Sequence, residues 1–303
     1  MTELTAFLHA AHANIPALEL RTAEPMANHT SFRIGGPADI MAFPKSVQEL
    51  SRLLILAKEN DITPLILGAG TNILAPDEGL SGLVICLKDC LDGMELLDGN
   101  CLQVFAGVTM TRAAVFAANH GLAGLEFAHG IPGTVGGGVY MNAGAYGGEI
   151  CMVCKSVDVM SLDGVLSTIS VEDMGFSYRH SRLEDEGGIV VSAVFALNPD
   201  EPEAIRGRMQ ELMAKRKNSQ PLDLPSAGSA FKRPVGGYAA ALIDQAGLKG
   251  YQIGGASVSV KHAGFVVNLD QATAGDVRAL LTAVSDIVFE KTGIRLEPEV
   301  RIW

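Results

Sequence analysis

A serine and two basic residues in the segment 225–234, PSAGSAFKRP, are of the types that could act on an anionic substrate. Ser229 could donate a proton, and Gly228 before it leaves the hydroxyl open to approach. Lys232 and Arg233 could offset the negative charge of such a substrate. Serines in loops more often form turns, so the spacing alone leaves both interpretations open.

Two glycine-rich segments could bring bare backbone against a ligand. The longer one, 130–148, has eight glycines in nineteen residues and no charged side chain, and its apolar residues indicate packed structure rather than a linker. The shorter one, GAGTN at 68–72, follows a strand-like run. Their N–H groups could together surround the diphosphate and flat ring of a cofactor. Asn72 and Asn142 could contact its polar atoms, although an Asx turn explains a loop asparagine equally well.

The sequence gives little support for a metal site or for cysteine redox chemistry. The histidines show no metal-ligand spacing, so we predict no metal site. Cys151 and Cys154 have redox spacing, but no second pair completes a ligand set, and we interpret them as small structural residues. The chain has no P-loop motif, which excludes that form of phosphoryl transfer.

Composition limits the function classes further. The chain has 303 residues, 48% of them hydrophobic, and a net charge of −11. This charge argues against sequence-independent binding to nucleic acid or anionic membranes. We find no apolar run long enough for a membrane span and no basic start typical of export, and five cysteines suit a reducing compartment. We therefore expect a cytoplasmic protein.

Hydrophobic periodicity and turn signals predict an α+β fold. A simple Rossmann domain is disfavoured, because Pro76 follows GAGTN too closely for a phosphate-binding helix. The tail 294–303 could return to a sheet, and the long loop 218–234 is a candidate domain boundary. Predicted helices are 47–60 with a capping box at Ser46, 109–121, 202–217, 237–245 and 273–292. Predicted strands are 62–67, 83–87, 94–97, 102–106, 157–164, 189–197 and 264–268.

Seven segments in chain order resemble the UDP-N-acetylenolpyruvoylglucosamine reductase (MurB) family. They are 28–39 (NHTSFRIGGPAD), 68–72, 130–148, 178–181 (YRHS), 225–234, 247–268 (GLKGYQIGGASVSVKHAGFVVN) and 296–300 (LEPEV). The resemblance implies a vanillyl-alcohol-oxidase/PCMH-type FAD-binding fold in two lobes, followed by a C-terminal α+β substrate-binding domain. We expect lobe 1 at 1–80, joined by the tail 295–303, lobe 2 at 81–218, and the substrate-binding domain at 219–294.

The resemblance also implies a reaction. NADPH reduces noncovalently bound FAD and leaves, and the enolpyruvyl ether of UDP-N-acetylglucosamine then receives a hydride at its vinyl methylene carbon. Protonation of the enol-like intermediate gives UDP-N-acetylmuramate, a peptidoglycan precursor. By motif position Ser229 is the proton donor, while Arg179 and Glu299 hold the substrate carboxylate and stabilise the intermediate. We expect a monomer without nucleic-acid or membrane partners. The alternative is an FAD-dependent carbohydrate or alcohol oxidase on the same fold, with His129 as a candidate cofactor tether.

Candidate cofactor-binding residues come from the two glycine-rich segments. They are Gly68, Ala69, Gly70, Thr71, Asn72, Ile131, Pro132, Gly133, Thr134, Gly136, Gly137, Asn142, Gly144 and Ala145. Weaker candidates for substrate binding are Tyr178, Lys232, Arg233 and Lys261. Thr71 replaces the serine common in the family but keeps the hydroxyl. The short separation of Arg179 and Ser229 resembles the branch of the family that lacks an extra substrate-covering loop.

Overall fold

The structure, a computed structural model, describes residues 3–303 and divides them into two compact units. The larger unit contains the chain up to Thr22, Ile40–Ala69 and Gly82–Ala214. The smaller unit contains Ala23–Asp39, Gly70–Ser81 and Lys215–Trp303. No helix among the described residues is long and apolar enough to cross a bilayer.

The five predicted helices are all present, and each begins and ends within two residues of its predicted bounds. In chain order they are α1 (Glu3–Asn14), α2 (Val47–Glu59), α3 (Met110–Asn119), α4 (Val135–Tyr140), α5 (Leu183–Glu186), α6 (Pro202–Ser219), α7 (Ala239–Gln245) and α8 (Ala274–Thr292). Helix α1 and the short α4 and α5 are not among the predicted helices.

The strands are short and numerous. They are β1 (Glu19–Pro25), β2 (Pro37–Phe43), β3 (Leu65–Leu67), β4 (Ile73–Leu74), β5 (Leu80–Cys86), β6 (Met94–Leu97), β7 (Cys101–Phe105), β8 (Leu122–Ala123), β9 (Gly144–Ala145), β10 (Gly148–Glu149), β11 (Cys154–Met160), β12 (Leu166–Ser170), β13 (Ile189–Ala196), β14 (Asn198–Pro199), β15 (Ser226–Ser229), β16 (Gln252–Ile253), β17 (Ala256–Val258), β18 (Phe265–Asn268) and β19 (Arg301–Ile302). The predicted loop 218–234 thus contains a strand, β15.

The larger unit holds two sheets. The first has the order β1-β2-β5-β3, with β3 parallel to β5, and the second is antiparallel with the order β12-β11-β13-β7-β6. Helix α2 begins at Ser46, whose hydroxyl accepts from the Glu49 N–H at 3.1 Å. The Glu49 carboxylate accepts from the Lys45 N–H, one residue earlier than the predicted capping box requires.

One core joins the parts of the larger unit. It contains Phe7 of α1 and Leu50 of α2 together with Met160, Ile189 and Val191 of the second sheet. Burying this apolar surface is what makes the unit compact. The core therefore takes side chains from both predicted FAD-binding lobes, 1–80 and 81–218, and the division between those lobes stays a prediction.

The smaller unit has an antiparallel sheet with the order β15-β18-β17-β16. Helix α8 packs against β16 and β17. A capping box formed by Thr273 and Asp276 begins this helix, and Gly293 ends it in the left-handed conformation, so its bounds agree with the predicted helix 273–292. The tail returns to a sheet as expected, because β19 pairs in parallel with β4.

Candidate active site

The two glycine-rich segments meet in the larger unit at Gly68 and Thr134. A Cβ atom added to Gly68 would lie 2.6 Å from Thr134 Oγ1, so glycine is needed for this approach. Thr134 is buried, and its hydroxyl accepts from the Gly137 N–H at 3.4 Å at the start of α4. The segments that the sequence predicts to act together are therefore in contact.

The shorter glycine segment leaves backbone donors for a ligand. Within residues 3–303, the N–H groups of Ala69 and Gly70 donate to no other protein atom. Gly70 has φ of +60°, and a Cβ atom there would collide with the backbone of His29 and Thr30. No other residue type fits this position without strain. The loop is thus shaped so that its N–H groups stay available to a polar group.

The longer glycine segment uses its first helical donors internally. The N–H groups of Val135 and Gly136 donate to Val108 and Ala106 at 2.8 and 3.0 Å. A Cβ atom on Gly138 would lie 2.7 Å from the Met110 sulfur, whereas one on exposed Gly137 would meet only Thr134 Oγ1, at 3.6 Å. Packing therefore explains Gly138 but not Gly137, whose bare surface is open to a ligand.

These features fit a bound FAD. Gly137 offers open backbone, and the loop 68–72 offers N–H donors to a diphosphate. Among the described residues, the buried Nδ1 atom of His129 has no hydrogen-bond partner, so a polar ligand group could satisfy it. Other residues of the longer glycine-rich segment hold it in place. Ile131 packs on the core, the Gly133 carbonyl accepts from the Met110 N–H, and Ala145 pairs with Gly148.

Arg179 lies at the tip of a tight turn in the larger unit. We call residues 177–181 the Arg179 turn. Ser177 and His180 exchange backbone hydrogen bonds of 3.1 and 3.3 Å, and Arg179 has φ of +57°. A non-glycine residue rarely adopts this conformation unless its surroundings impose it. The guanidinium donates to the Gly144 carbonyl at 3.4 Å, which places it beside the end of the longer glycine-rich segment, 130–148, called the glycine tract below.

Two buried side chains fasten this turn to the tract. Asn142 is 1% exposed and Ser181 is fully buried. The Asn142 amide donates to the Ser177 carbonyl at 3.0 Å, and the Ser181 hydroxyl donates to the Tyr140 carbonyl at 2.8 Å. The sequence assigned Ser181 no role, because a buried hydroxyl and an exposed one look alike in a sequence.

In the smaller unit the main chain of Glu299 is hydrogen-bonded to the residue that follows Ser229. Glu299 donates its N–H to the carbonyl of Ala230 at 2.9 Å, one residue after Ser229. Between Ser226 and Ser229 the pairing with β18 shifts register, and Gly228 in this bulge has φ of +76° with open space around it. Bulges commonly redirect side chains at active sites. Ser229 is exposed and Glu299 is half-buried.

Loop 70–72 contacts the segment that contains Glu299. The Asn72 side-chain amide donates to the Glu299 carbonyl at 3.1 Å. The Asn72 main-chain carbonyl accepts from the Arg301 N–H at 3.0 Å. The Ser31 hydroxyl donates to the Ser226 carbonyl at 2.6 Å. Ser31 lies in segment 28–39, one of the seven that resemble the family, but its sequence neighbours gave no sign of the hydrogen bond to Ser226. Thr71, Asn72, Ser229 and Glu299 therefore share one region of the smaller unit.

The weaker substrate-binding candidates lie on exposed surface. Lys232 pairs with Glu297 at 3.7 Å, and the Arg233 guanidinium lies 4.3 Å from the ring centre of Tyr238. Lys261 donates to the Lys217 carbonyl at 2.6 Å. Tyr178 is also exposed, and its ring lies 5.3 Å from the Arg179 guanidinium.

The cysteines are free thiols without redox activation. Burial raises the pKa of Cys154 to about 12, and burial together with the Glu149 carboxylate raises the pKa of Cys151. Both groups are protonated at neutral pH, so neither is an activated nucleophile. The described residues contain no cluster of three or more His, Cys, Asp or Glu side chains able to hold a metal.

Comparison with known proteins decides the family. Residues 38–170 match an FAD binding domain, and residues 220–303 match the UDP-N-acetylenolpyruvoylglucosamine reductase C-terminal domain. The protein of that name from Latilactobacillus sakei is 44% identical over 303 residues, covering 100% of this chain and 98% of its own. The one from Agathobacter rectalis is 46% identical over 307 residues and covers 98% of each. The chain belongs to the UDP-N-acetylenolpyruvoylglucosamine reductase family.

A solved structure agrees with this membership. The reductase from Thermus caldophilus superimposes with a TM-score of 0.81 at 37% identity, covering 94% of this chain and 98% of that one. The chain is therefore an FAD-containing oxidoreductase with a PCMH-type FAD-binding fold and a C-terminal domain. The predicted fold class, family and cofactor are confirmed. The roles of individual site residues stay predictions.

Proposed function

We propose that this chain uses NADPH and FAD to reduce the enolpyruvyl group of UDP-N-acetylglucosamine enolpyruvate to UDP-N-acetylmuramate, a precursor of peptidoglycan. The observation that carries the proposal is the hydrogen bond from Glu299 to Ala230, the residue after Ser229, beside loop 70–72, in a chain related over its full length to reductases of this name. Bound FAD supplies the hydride, which it takes from NADPH.

Arg179 would bind the carboxylate of the enolpyruvyl group. Hydride addition moves negative charge into that carboxylate, so a fixed guanidinium stabilises the transition state more than the ground state. The left-handed backbone at Arg179 and its bond to the Gly144 carbonyl support such a fixed position. Glu299 would help to stabilise the enol-like intermediate. Its main chain is hydrogen-bonded to the Ala230 carbonyl and to the Asn72 side chain.

Ser229 would donate the proton that completes the reaction. A serine hydroxyl is a weak acid, but a carbanion-like carbon is basic enough to take its proton when the two lie within about 3 Å. The exposed side chain and the open space around Gly228 leave room for a substrate to reach it. Tyr178, Lys232, Arg233 and Lys261 are proposed to assist substrate binding. We further propose a cytoplasmic monomer acting in cell-wall synthesis.

The test is an absorbance spectrum of the purified protein followed by an NADPH oxidation assay. We expect a flavin spectrum and NADPH consumption that depends on the enolpyruvyl sugar nucleotide. A colourless protein that FAD does not reconstitute, or NADPH consumption indifferent to the sugar nucleotide, would contradict the proposal. Acid precipitation tests the oxidase alternative, because noncovalent flavin stays in the supernatant and a flavin tethered at His129 precipitates with the protein.

A further inference from the structure

The side chain of Asn142 is engaged inside the protein. Its amide nitrogen donates to Glu149 Oε2 at 2.8 Å and to the Ser177 carbonyl at 3.0 Å, and its oxygen accepts from the Cys151 N–H at 3.0 Å. Three of the four hydrogen-bonding positions of the amide are thus filled by protein groups. A side chain used in this way is poorly placed to contact a cofactor, although it lies in the glycine-rich tract.

The partners of Asn142 join two structural pieces. Glu149 ends the β9–β10 hairpin, in which it pairs with Gly144, and Cys151 follows two residues later. Ser177 begins the Arg179 turn. Asn142 has φ of +42°, a conformation that asparagine tolerates better than most residues and that points its amide at both pieces. Its burial to 1% exposure raises the cost of leaving any of these polar groups unpaired.

We propose that Asn142 is a positioning residue for Arg179. It holds the Arg179 turn against the end of the glycine tract, so that the guanidinium keeps its orientation toward the Gly144 carbonyl. Ser181 is the second anchor of the same turn, through its bond to the Tyr140 carbonyl. An arginine has four rotatable side-chain bonds, so its direction is only as well defined as the backbone that carries it. This inference rests on the proposed role of Arg179.

The main variant is Asn142→Gly, which removes the amide and still accepts the positive φ. Asn60→Ala is the matched control, because Asn60 also donates to a backbone carbonyl, that of Leu56, at the far end of α2. For Asn142→Gly we expect FAD affinity and NADPH-driven flavin reduction within about 3-fold of wild type, and reoxidation by the enolpyruvyl substrate slowed about 10- to 100-fold. The control should match the wild type in every step.

A double-mutant cycle separates positioning from an independent effect. If Asn142 acts through Arg179, then Asn142→Gly combined with Arg179→Ala should reoxidise within about 2-fold of Arg179→Ala alone. Hydrogen exchange of the protein without substrate gives a second readout, and the amides of residues 177–182 should exchange faster in Asn142→Gly but not in Asn60→Ala. Losses that multiply, or an equal loss in flavin binding, would overturn the proposal.

Ser181→Ala keeps the inference testable if Asn142→Gly does not fold. It removes the second anchor alone, and we expect about 3- to 10-fold slower reoxidation with flavin reduction retained. Unchanged reoxidation in Ser181→Ala, with a wild type that is active, would count against the anchoring of the turn. A wild type that never reoxidises with the enolpyruvyl sugar nucleotide would instead contradict the proposed function itself.

Discussion

Arg179 and Ser229, the proposed charge-stabilising and proton-donating residues, are held in opposite ways. The Arg179 turn is fastened by buried side chains, Asn142 and Ser181, and its backbone is in a left-handed conformation. Ser229 lies on the bulged strand β15, which main-chain pairing with β18 positions, and the Ser31 side chain bonds to this strand three residues away, at the Ser226 carbonyl. The space beside Gly228 is open.

The difference follows from side-chain length. Serine has a single rotatable bond before its oxygen, so fixing the backbone places the hydroxyl within a small range. Arginine loses much more conformational freedom when it is held in one direction, and that entropy must be offset by surrounding contacts. Electrostatic stabilisation works best when the groups are oriented before the reaction. We infer that a long charged side chain needs side-chain anchors, whereas a short donor needs only a correctly shaped strand.

Ser229→Ala should give the largest effect. Without the hydroxyl, the step that needs a proton is expected to slow by about 10³-fold, while reduction of the flavin by NADPH stays near the wild-type rate. Stopped-flow absorbance measures the two steps separately. Ser31→Ala is the control for loss of a hydroxyl, because Ser31 donates to Ser226 on β15, the strand that carries Ser229. This control should slow reoxidation far less. Equal slowing of both half-reactions in Ser229→Ala would exclude the donor role.

Arg179→Lys should follow, with about 10²-fold slower reoxidation. A lysine keeps the charge but cannot form the paired hydrogen bonds of a guanidinium to a carboxylate. Arg182→Lys is the matched control, because Arg182 lies three residues away in an exposed pair with Glu186 and should change the rate by less than about 2-fold. If the two substitutions slow reoxidation alike, the fixed geometry of Arg179 is not what the reaction uses.

Two neighbouring glycines test whether the tract that anchors Arg179 also carries the cofactor. Gly137→Ala adds a methyl group to exposed, open backbone and should weaken FAD binding about 10-fold or more, while the protein without FAD keeps or gains stability. Gly138→Ala instead places a Cβ atom 2.7 Å from the Met110 sulfur and should destabilise folding by about 1–3 kcal/mol. Flavin titration and urea unfolding measure the two quantities. The reverse pattern would place FAD elsewhere.

Local signals in the sequence predicted much of this molecule. The helix starts at Ser46, Thr109 and Thr273 depend on residues within one turn, so the sequence alone reveals them. The approach of Gly68 to Thr134 and the bond from Asn142 to Ser177 join segments far apart in the chain. No local pattern encodes such contacts, and a glycine or asparagine in a loop has several possible uses.

The choice between two glutamates shows the same limit. The sequence offered Glu297 and Glu299 in one motif, and only the family resemblance favoured the second. In the structure Glu297 is exposed and faces Lys232, whereas Glu299 is half-buried and its main chain is bonded to Ala230 and Asn72. The main chain of Glu297 also accepts from Lys232, so burial and the bond to Ala230, directly after Ser229, distinguish Glu299.

The smallest expected effect concerns the framework behind Ser229. Asp276 accepts from the N–H groups of Thr273 and Gly255 at 3.0 and 3.2 Å, and these hydrogen bonds lower the pKa of its carboxyl group. The stabilisation is present at neutral pH, where the group is ionised in the folded and unfolded chain, and it is lost as the pH falls through the lowered pKa. Asp276→Asn should therefore reduce stability at pH 7 by up to about 1 kcal/mol, with a smaller difference in acid.

Urea unfolding at several pH values measures this effect, with Asp286→Asn on the exposed face of α8 as the control. Because main-chain pairing of β15 with β18 places Ser229, we expect reoxidation of Asp276→Asn to stay within about 2-fold of wild type while the protein is folded. A large rate loss without loss of fold would mean that Ser229 depends on the α8 cap. The contrast with the side-chain-anchored Arg179 would then have to be abandoned, because both residues would need support beyond their own backbone.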